Sequence, residues 1–497
     1  MHKHSFDTEQ RQSVLGTVFF LFLSVQRVFR IFWPFLLLYV FKGNAWKMLE
    51  PTWLIGLVVL VVLLVAHSIL AWYHFYFFIK DNEFVLRKGY LKRVVIAIPF
   101  EKIVSINLKQ GLIQQLLGVV QLEVDSAGSK KKEVAIYAIS REVAEALQEQ
   151  LGRYKTEISD SEESQTDSEQ VDEKETILQL SLKDLLRIGI AKNHLRGLLV
   201  ILAFGNNIYY QLKELFESEI TSAADKTESF LLHSSSLALA GFIIFVLLVS
   251  LIISMAEVFL RYYDFNMKSF ANAFSLQSGL LKRKNITIPF SKVQRLKRSI
   301  NPIQKWLRIS NIQLVQANSV EVSKDKDKVS IPGCDDQMFK ELCDKIYEDP
   351  FSQQTYDMKP QRVFLYRYFT FSFLIMSIPV FALSLEFNWI WYLEILVPIL
   401  AAGVAYLTYY RRSYQMSHDF LHVHSGMVAK DYSIIEVYKV QTVHIKRTFF
   451  QRRNGTASLN LGMAGSVVRI EYLSFDDAIR MKDQILYKIE VSKKKWM

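Results

Sequence analysis

The chain has 497 residues, 51% hydrophobic and 13% aromatic, and a formal net charge of +11. So many apolar residues, gathered into long runs, exclude a disordered chain, and two cysteines exclude a disulfide-built secreted scaffold. The basic balance does not point to nucleic acid, because the aromatics sit mostly in those runs rather than on stacking surfaces.

Residues 14–75 hold two apolar stretches, Val14–Phe41 and Trp53–Tyr73, each near or above the ~20 residues that carry a helix across a bilayer. They read as a transmembrane hairpin. Gln26, Arg27 and Arg30 lie in the first, so the spanning part is expected to start near Val28, and the run reads as a retained anchor rather than a cleaved signal. Residues 76–153 then change period. Phe84 and Leu86 alternate as in a half-buried strand, Gly89 closes a turn, and a second strand runs to Pro99. Alternation returns at Val119–Val124, and a helix over Ser140–Leu151, capped at its serine, closes the segment.

Residues 154–180 form a linker in which Thr156–Thr176 carries nine acids and one lysine; it reads as a disordered spacer. The pattern then repeats. A second hairpin (181–262) pairs Leu185–Tyr209 with Leu237–Phe259, and the first of these enters with Lys192, His194 and Arg196. A second β segment (263–349) ends in a helix over Asp335–Ile346. After a linker (350–361) come a third hairpin (362–412; Phe364–Leu385 and Tyr392–Tyr410) and a third β segment (413–491) with a helix over Phe475–Ile489. A basic tail (492–497) carries Lys493–Lys495 and Trp496.

The β segments are copies of one unit. Counting from Gly89, Gly279 and Gly426, a lysine follows 13 residues on (Lys102, Lys292, Lys439) and a glutamine 25 on (Gln114, Gln304, Gln451). An alanine follows 38 on (Ala127, Ala317, Ala464), before Gly128, Asn318 and Gly465. Meanders ending in one helix imply a small antiparallel barrel or bent sheet capped by that helix, and each copy is expected to fold by itself. A helical hairpin followed by Gly89-Tyr90-Leu91-Lys92, Pro99-Phe100-Glu101-Lys102-Ile103 and Gln114 resembles the bacterial pleckstrin-homology-like membrane family. Three such modules resemble its YdbT-type members. The third copy departs from the pattern, with Glu436 where the others have Pro99 and Pro289. The resemblance implies an α+β membrane protein, with six transmembrane helices in three hairpins, each followed by a PH-like module; it implies no reaction or ligand.

Orientation follows from lysine and arginine. The hairpin loops hold Lys42, Lys47, Lys213 and Lys226, and the other 56 of the 60 basic residues lie on the opposite side or at its helix ends. By the positive-inside rule, both termini and all three modules are cytoplasmic.

Basic clusters lie at the module turns: Lys92 and Arg93 with Lys130–Lys132; Lys282, Arg283 and Lys284 with Arg295, Lys297 and Arg298; and Lys446 and Arg447 with Arg452 and Arg453. They read either as contacts for an anionic inner leaflet or as solvated charge. The recurrent lysine and glutamine read either as ligand contacts or as turn and strand-pairing residues. His418, His422, His424 and Asp419 raise a metal site, which the repeat argues against: the last two histidines match Val85 and Arg87, and Ser275 and Gln277. Cys334 and Cys343 read as plain free thiols.

No catalytic signature or cofactor motif is present. The resulting expectation is a non-enzymatic membrane scaffold for lipid headgroups or for a membrane or cytosolic protein partner that pairs with an exposed sheet edge, with a role in envelope maintenance. The alternative is a transporter or exporter component with regulatory modules, although spans two, four, five and six lack a matched set of buried ionisable groups apart from His67 and the boundary residues Glu257 and Glu394.

Overall fold

The computed structural model describes residue 6 and residues 8–41, 51–126, 134–148, 150, 175–192, 236–270, 272–316, 329–351, 354–385, 388–464 and 466–492. Lys130–Lys132, the turns at Ala127 and Ala317, Gly465, the apolar half of the third stretch and the basic tail lie outside the described residues.

One string of elements occurs three times. In the first copy it is β1 (Gln10–Arg11), helices α1 (Gly16–Phe41) and α2 (Pro51–Tyr73), then β2 (Tyr76–Lys80), β3 (Glu83–Lys88) and β4 (Val94–Pro99). A 3₁₀ turn (Phe100–Lys102), β5 (Ile103–Gln110), α3 (Leu112–Leu116), β6 (Val119–Ser126), β7 (Val134–Ser140) and α4 (141–148) complete it. The second copy runs β8 (Glu175–Gln179), α5 (Leu182–Ile190), α6 (Ser236–Tyr262), β9 (Asn266–Phe270), β10 (Ala273–Ser278) and β11 (Arg283–Pro289). It continues with a 3₁₀ turn (Phe290–Lys292), β12 (Val293–Ile300), α7 (Pro302–Trp306), β13 (Ser310–Gln316), β14 (Val329–Cys334) and α8 (Asp336–Ile346). The third opens with β15 (Gln354–Met358), α9 (Val363–Ser384), α10 (Val397–Tyr410), β16 (Ser413–Ser417), β17 (Phe420–Ser425) and β18 (Lys430–Glu436). It closes with a 3₁₀ turn (Val437–Lys439), β19 (Val440–Lys446), α11 (Phe449–Arg453), β20 (Thr456–Met463), β21 (Ser466–Ser474) and α12 (Phe475–Val491).

The sheets do not respect the copies. Strands β1–β4 form one sheet in sequence order, but the next runs β7-β6-β5-β11-β10-β9-β8, and the third β14-β13-β12-β18-β17-β16-β15. Strands β19–β21 stand as a sheet of three. Each copy therefore passes its second sheet to the first sheet of the next, so the expectation of self-contained modules is corrected. Both junctions are antiparallel and share one register: Lys284 faces Lys109, and Asp431 faces Ser299. Counted from their own glycines, these are the fifth residue of one copy opposite the twentieth of the preceding one.

The linkers are also corrected at their ends. Glu175–Gln179 closes the acidic segment as a strand on β9, and Gln354–Met358 does the same on β16, as Gln10–Arg11 does on β2. In each copy the strand before the apolar helices pairs with the strand after them. The β-branched and apolar run Thr176-Ile177-Leu178 suits such a position, although acids precede it.

The chain divides into two compact units, Met1–Gln179 with Asp264–Pro289, and Leu180–Tyr263 with Phe290–Met497. In the first, Phe77, Phe84, Leu86 and Ile98 pack with Leu122, Val124 and Ile136 and with Ala144 and Leu147 of α4. In the second, Tyr414, Leu421 and Ile435 pack with Leu459, Leu461 and Ile470 and with Ala478, Met481 and Ile485 of α12. Each large side chain so buried contributes roughly 1.5–3 kcal/mol. The closing helices carry the expected caps: Met338 N–H donates to Asp335 Oδ1 (2.8 Å), Asp477 N–H to Ser474 Oγ (3.1 Å) and Val143 N–H to Ser140 Oγ (3.4 Å).

Among the described residues four stretches are helical, long and apolar enough to cross a membrane: Gly16–Trp33, Ile244–Tyr262, Val363–Ala382 and Trp391–Tyr410. Val58–Tyr73 is a shorter apolar helix. The third sequence stretch opens differently from the expectation of one helix with a basic start. Its beginning is the separate helix α5, capped by Ser181 and Asp184 and ended at Ala191, which buries Leu185, Ile188 and Gly189. Gly189 lies there against Met255 of α6, where a Cβ would come within 2.9 Å of the methionine Cγ.

Candidate functional site

The three repeat-marking positions resolve into backbone devices. Gly89, Gly279 and Gly426 all have left-handed φ (+96°, +106°, +115°), and a Cβ on Gly426 would stand 1.9 Å from the carbonyl oxygen of Ala429. Lys102, Lys292 and Lys439 each end the 3₁₀ turn. Gln114, Gln304 and Gln451 each occupy the third position of the short helix and accept from the backbone N–H of the capping residue: Gly111 at 2.8 Å, Asn301 at 2.9 Å and Thr448 at 2.9 Å. Gln114 also donates to the carbonyl of Tyr137, tying the helix to β7. Of the two readings of the glutamine, the geometry is that of a cap.

Those short helices carry a feature that the sequence reading missed. Each turns large apolar side chains outward: Leu112 and Leu116 in α3, Ile303 and Trp306 in α7, Phe449 and Phe450 in α11. Leu116, Trp306 and Phe449 are 86, 80 and 75% exposed. The available signal was the apolar residues around each recurrent glutamine (Leu112 and Leu116, Ile303 and Trp306, Phe449 and Phe450), on a segment too short to need a core face.

Contacts place the Gly426 turn with α11, and the Gly89 turn, beside apolar helices, and tie α3 and α7 to other elements. In the second unit, Arg411, just past the end of α10, donates to the carbonyl of Val428 in the Gly426 turn (2.7 Å), while Met427 and Val428 point outward. Arg367, in the second turn of α9, stacks on Phe450 (5.0 Å). The turn and α11 thus sit at one end of the α9–α10 pair, with Lys446, Arg452 and Arg453 exposed around them. In the first unit, His67 of α2 meets the Tyr90 hydroxyl (2.8 Å), and Leu91, Lys92 and Arg93 beyond it are exposed. The Gln115 amide of α3 donates to the carbonyls of Leu280 and Leu281 (3.1 and 3.2 Å), so α3 and the Gly279 turn, with exposed Lys282 and Arg283, form one piece. In the second copy, the Asn301 amide before α7 donates to the carbonyl of Ala191 (2.6 Å) at the end of α5.

Other predicted basic residues are taken up inside the fold. Lys297 pairs with Asp431 at 2.8 Å. Arg298 pairs with Asp336, donates to Ser310 Oγ (3.1 Å) and lies over Phe339 (4.6 Å). Arg295 is half-buried, its charge opposed by desolvation and supported by Asp431. Arg447 lies 4.0 Å over Phe475 and donates to the carbonyl of Thr456. Lys284 is half-buried opposite Lys109.

The irregular third turn has its own logic. Glu436 sits where the other copies have proline, and its carboxylate meets Lys439 Nζ at 2.5 Å. Lys439 is buried and also donates to the carbonyl of Val293 (2.7 Å), while burial and Lys439 together lower the pKa of Lys292. The glutamate supplies the countercharge that a buried ammonium requires.

His422 is buried, and its Nδ1 lies 2.6 Å from the Tyr432 hydroxyl; burial pushes its pKa down to about 4. His424 packs on the same tyrosine ring. Among the described residues no three His, Cys, Asp or Glu side chains gather as a metal ligand set. Cys334 and Cys343 are buried free thiols, pushed up by burial, the latter to about 12. The span-associated ionisable groups have local partners: Glu257 pairs with Lys192 (2.5 Å) and Arg261 (2.9 Å), and Glu394 accepts from Ser377 Oγ (3.0 Å).

The family model described as "Bacterial PH domain" matches this sequence three times, over residues 20–155, 230–349 and 371–489. A protein of Bacillus subtilis (strain 168) named transmembrane protein YdbT is 24% identical over 458 residues, covering 89% of this chain and 90% of that protein.

Proposed function

The chain belongs to the bacterial PH domain family, and from that premise we propose that it is a multi-pass transmembrane protein holding three PH-like modules against the anionic inner leaflet. In this reading six spans form three hairpins, and both termini and all modules are cytoplasmic. The modules act by binding rather than by catalysis. They form a scaffold for lipid headgroups or protein partners, in the service of envelope maintenance.

The observation that carries the reading is the rim at the ends of the apolar helices. In the second unit, outward Met427, Val428, Phe449 and Phe450 stand with exposed Lys446, Arg452 and Arg453 at one end of the α9–α10 pair. In the first, exposed Lys92 and Arg93 follow the Tyr90 that meets α2, and exposed Lys282 and Arg283 lie in the turn that meets α3. Apolar residues that reach the acyl boundary, with cations at headgroup level, are the two components of interfacial binding. Each cation near an anionic surface contributes about 1 kcal/mol, and tethering by a hairpin keeps the modules at high effective concentration.

Full-length protein in phosphatidylglycerol discs should show slower amide exchange at residues 449–453 and 91–93 than in phosphatidylcholine discs. Changing those seven cations to glutamine should remove the difference while leaving exchange in β20 and β21 unaltered. Equal exchange in both lipids would overturn the reading.

A further inference from the structure

The sheets that join one copy to the next leave a matched pair of ends. Strand β5 pairs with β11 and β12 with β18, in the same register. Among the described residues the outer edges of β4 and β19 lack a strand partner.

The free edge of β4 is not built as a protected one. Exposed edges usually carry lysine, other charges or proline along the strand to prevent pairing. Here the protective residues stand only at the ends of β4, Lys92 and Arg93 before it and Pro99 as its last residue, while Val94-Val95-Ile96-Ala97-Ile98 between them is more apolar than its covered counterparts Lys284-Asn285-Ile286-Thr287-Ile288 and Asp431-Tyr432-Ser433-Ile434-Ile435. Val95 is 60% exposed and Ala97 is exposed, whereas their equivalents beside β12, Tyr432 and Ile434, are half-buried and fully buried. The other end mirrors this. Gln441, Thr442 and His444 of β19 are exposed, where their equivalents in β12, Gln294, Arg295 and Lys297, are buried or half-buried.

We propose that β19 of one copy of this protein pairs with β4 of a second copy, joining chains head to tail through the pairing used twice inside each chain. Carrying the internal register across sets Val443 opposite Ala97, His444 opposite Ile96, Ile445 opposite Val95 and Lys446 opposite Val94, with no like charges facing within these four pairs. Val443 and Ile445 already flank the core of the third copy, so Val95 and Ala97 extend that apolar surface. All copies insert with one orientation, so both edges lie on the same side of the membrane. The contact is heterologous: each chain offers one edge and accepts at the other, and assembly proceeds to a ring or a row.

Oxidative cross-linking of the full chain in native membranes tests this. A Val95→Cys chain and an Ile445→Cys chain, differently tagged and co-expressed, should yield a mixed disulfide-linked dimer; the buried Cys334 and Cys343 serve as silent background. The pair Val95→Cys with Gln441→Cys is displaced by four residues, about 13 Å along the strand, and should cross-link at least tenfold less. A Val95→Lys, Ala97→Lys chain places charge on exposed positions only. It should keep its thermal midpoint while shifting from assemblies to monomers in mass photometry of native lipid particles. Absence of the mixed dimer, equal yield from the displaced pair, monomeric wild-type protein, or assemblies unchanged by the two lysines would each overturn the proposal.

Discussion

At the residue scale the two most informative side chains are Lys439 and His422, because each is buried against a polar side chain that can be changed separately, Glu436 and Tyr432. Breaking a buried pair by removing one charge costs ~3–5 kcal/mol, whereas replacing both charges by apolar groups is often neutral. Glu436→Gln should therefore lower unfolding free energy by about 3 kcal/mol, and Glu436→Gln with Lys439→Met should recover most of it. Chemical denaturation of the four combinations measures the coupling; additive losses would show that the pair does not act as one. His422 gives a pH dependence of known sign. An unfolded histidine titrates near 6.5, and the folded one near 4, so the unfolded chain takes up the proton first as pH falls. Stability present above pH 6.5 is lost toward pH 4, by up to about 1.4 kcal/mol per unit. His424, whose pKa burial also lowers and Asp357 raises, adds to the same slope, while Tyr432, Phe351 and Phe420 complete the surroundings. His422→Gln keeps an acceptor for Tyr432 and should flatten the profile between pH 7 and 4.5; parallel profiles would rule out His422 as its source.

At the element scale, the parts that were legible in the sequence are those with a local physical signature. The turn glycines announce a backbone that other residues reach at a cost, and the capped closing helices show both a cap residue and a period. The recurrent glutamine was visible as spacing, but its role as a cap was not, since the five-residue helix it serves is too short to show a period. The edge strand Glu175–Gln179 was hidden by the acids that lead into it. The junctions were hidden for a deeper reason: β5 meets β11, and β12 meets β18, through backbone hydrogen bonds, which no side-chain pattern spells out. They nonetheless bear on stability. A chain ending at residue 350 lacks β18 and leaves β12 as a bare edge, so amide exchange at residues 296–300 should be markedly faster than in the full chain. Unchanged exchange would mean that the copies behave as separate beads.

At the scale of the whole molecule, the charge asymmetry fixes an expected sidedness. On a background without Cys334 and Cys343, Ser222→Cys should react with an impermeant thiol reagent added outside intact cells, and Ser164→Cys should not. The reverse labelling would invert the topology and remove the inner leaflet from the proposed function. Sidedness and sheet sharing also place a demand on time. Strand β5 waits for β11, about 170 residues later in the chain, which at ~5–20 residues per second of synthesis means roughly 9–35 s with an open edge. The intervening segment includes residues 181–262, the proposed second hairpin, and β12 waits across α9 and α10 in the same way. Biosynthesis therefore runs as a relay in which the second sheets of the first two copies are completed only after the apolar helices of the next copy have been made. A stalled insertion leaves β5 or β12 with an unpaired edge, which quality control can find.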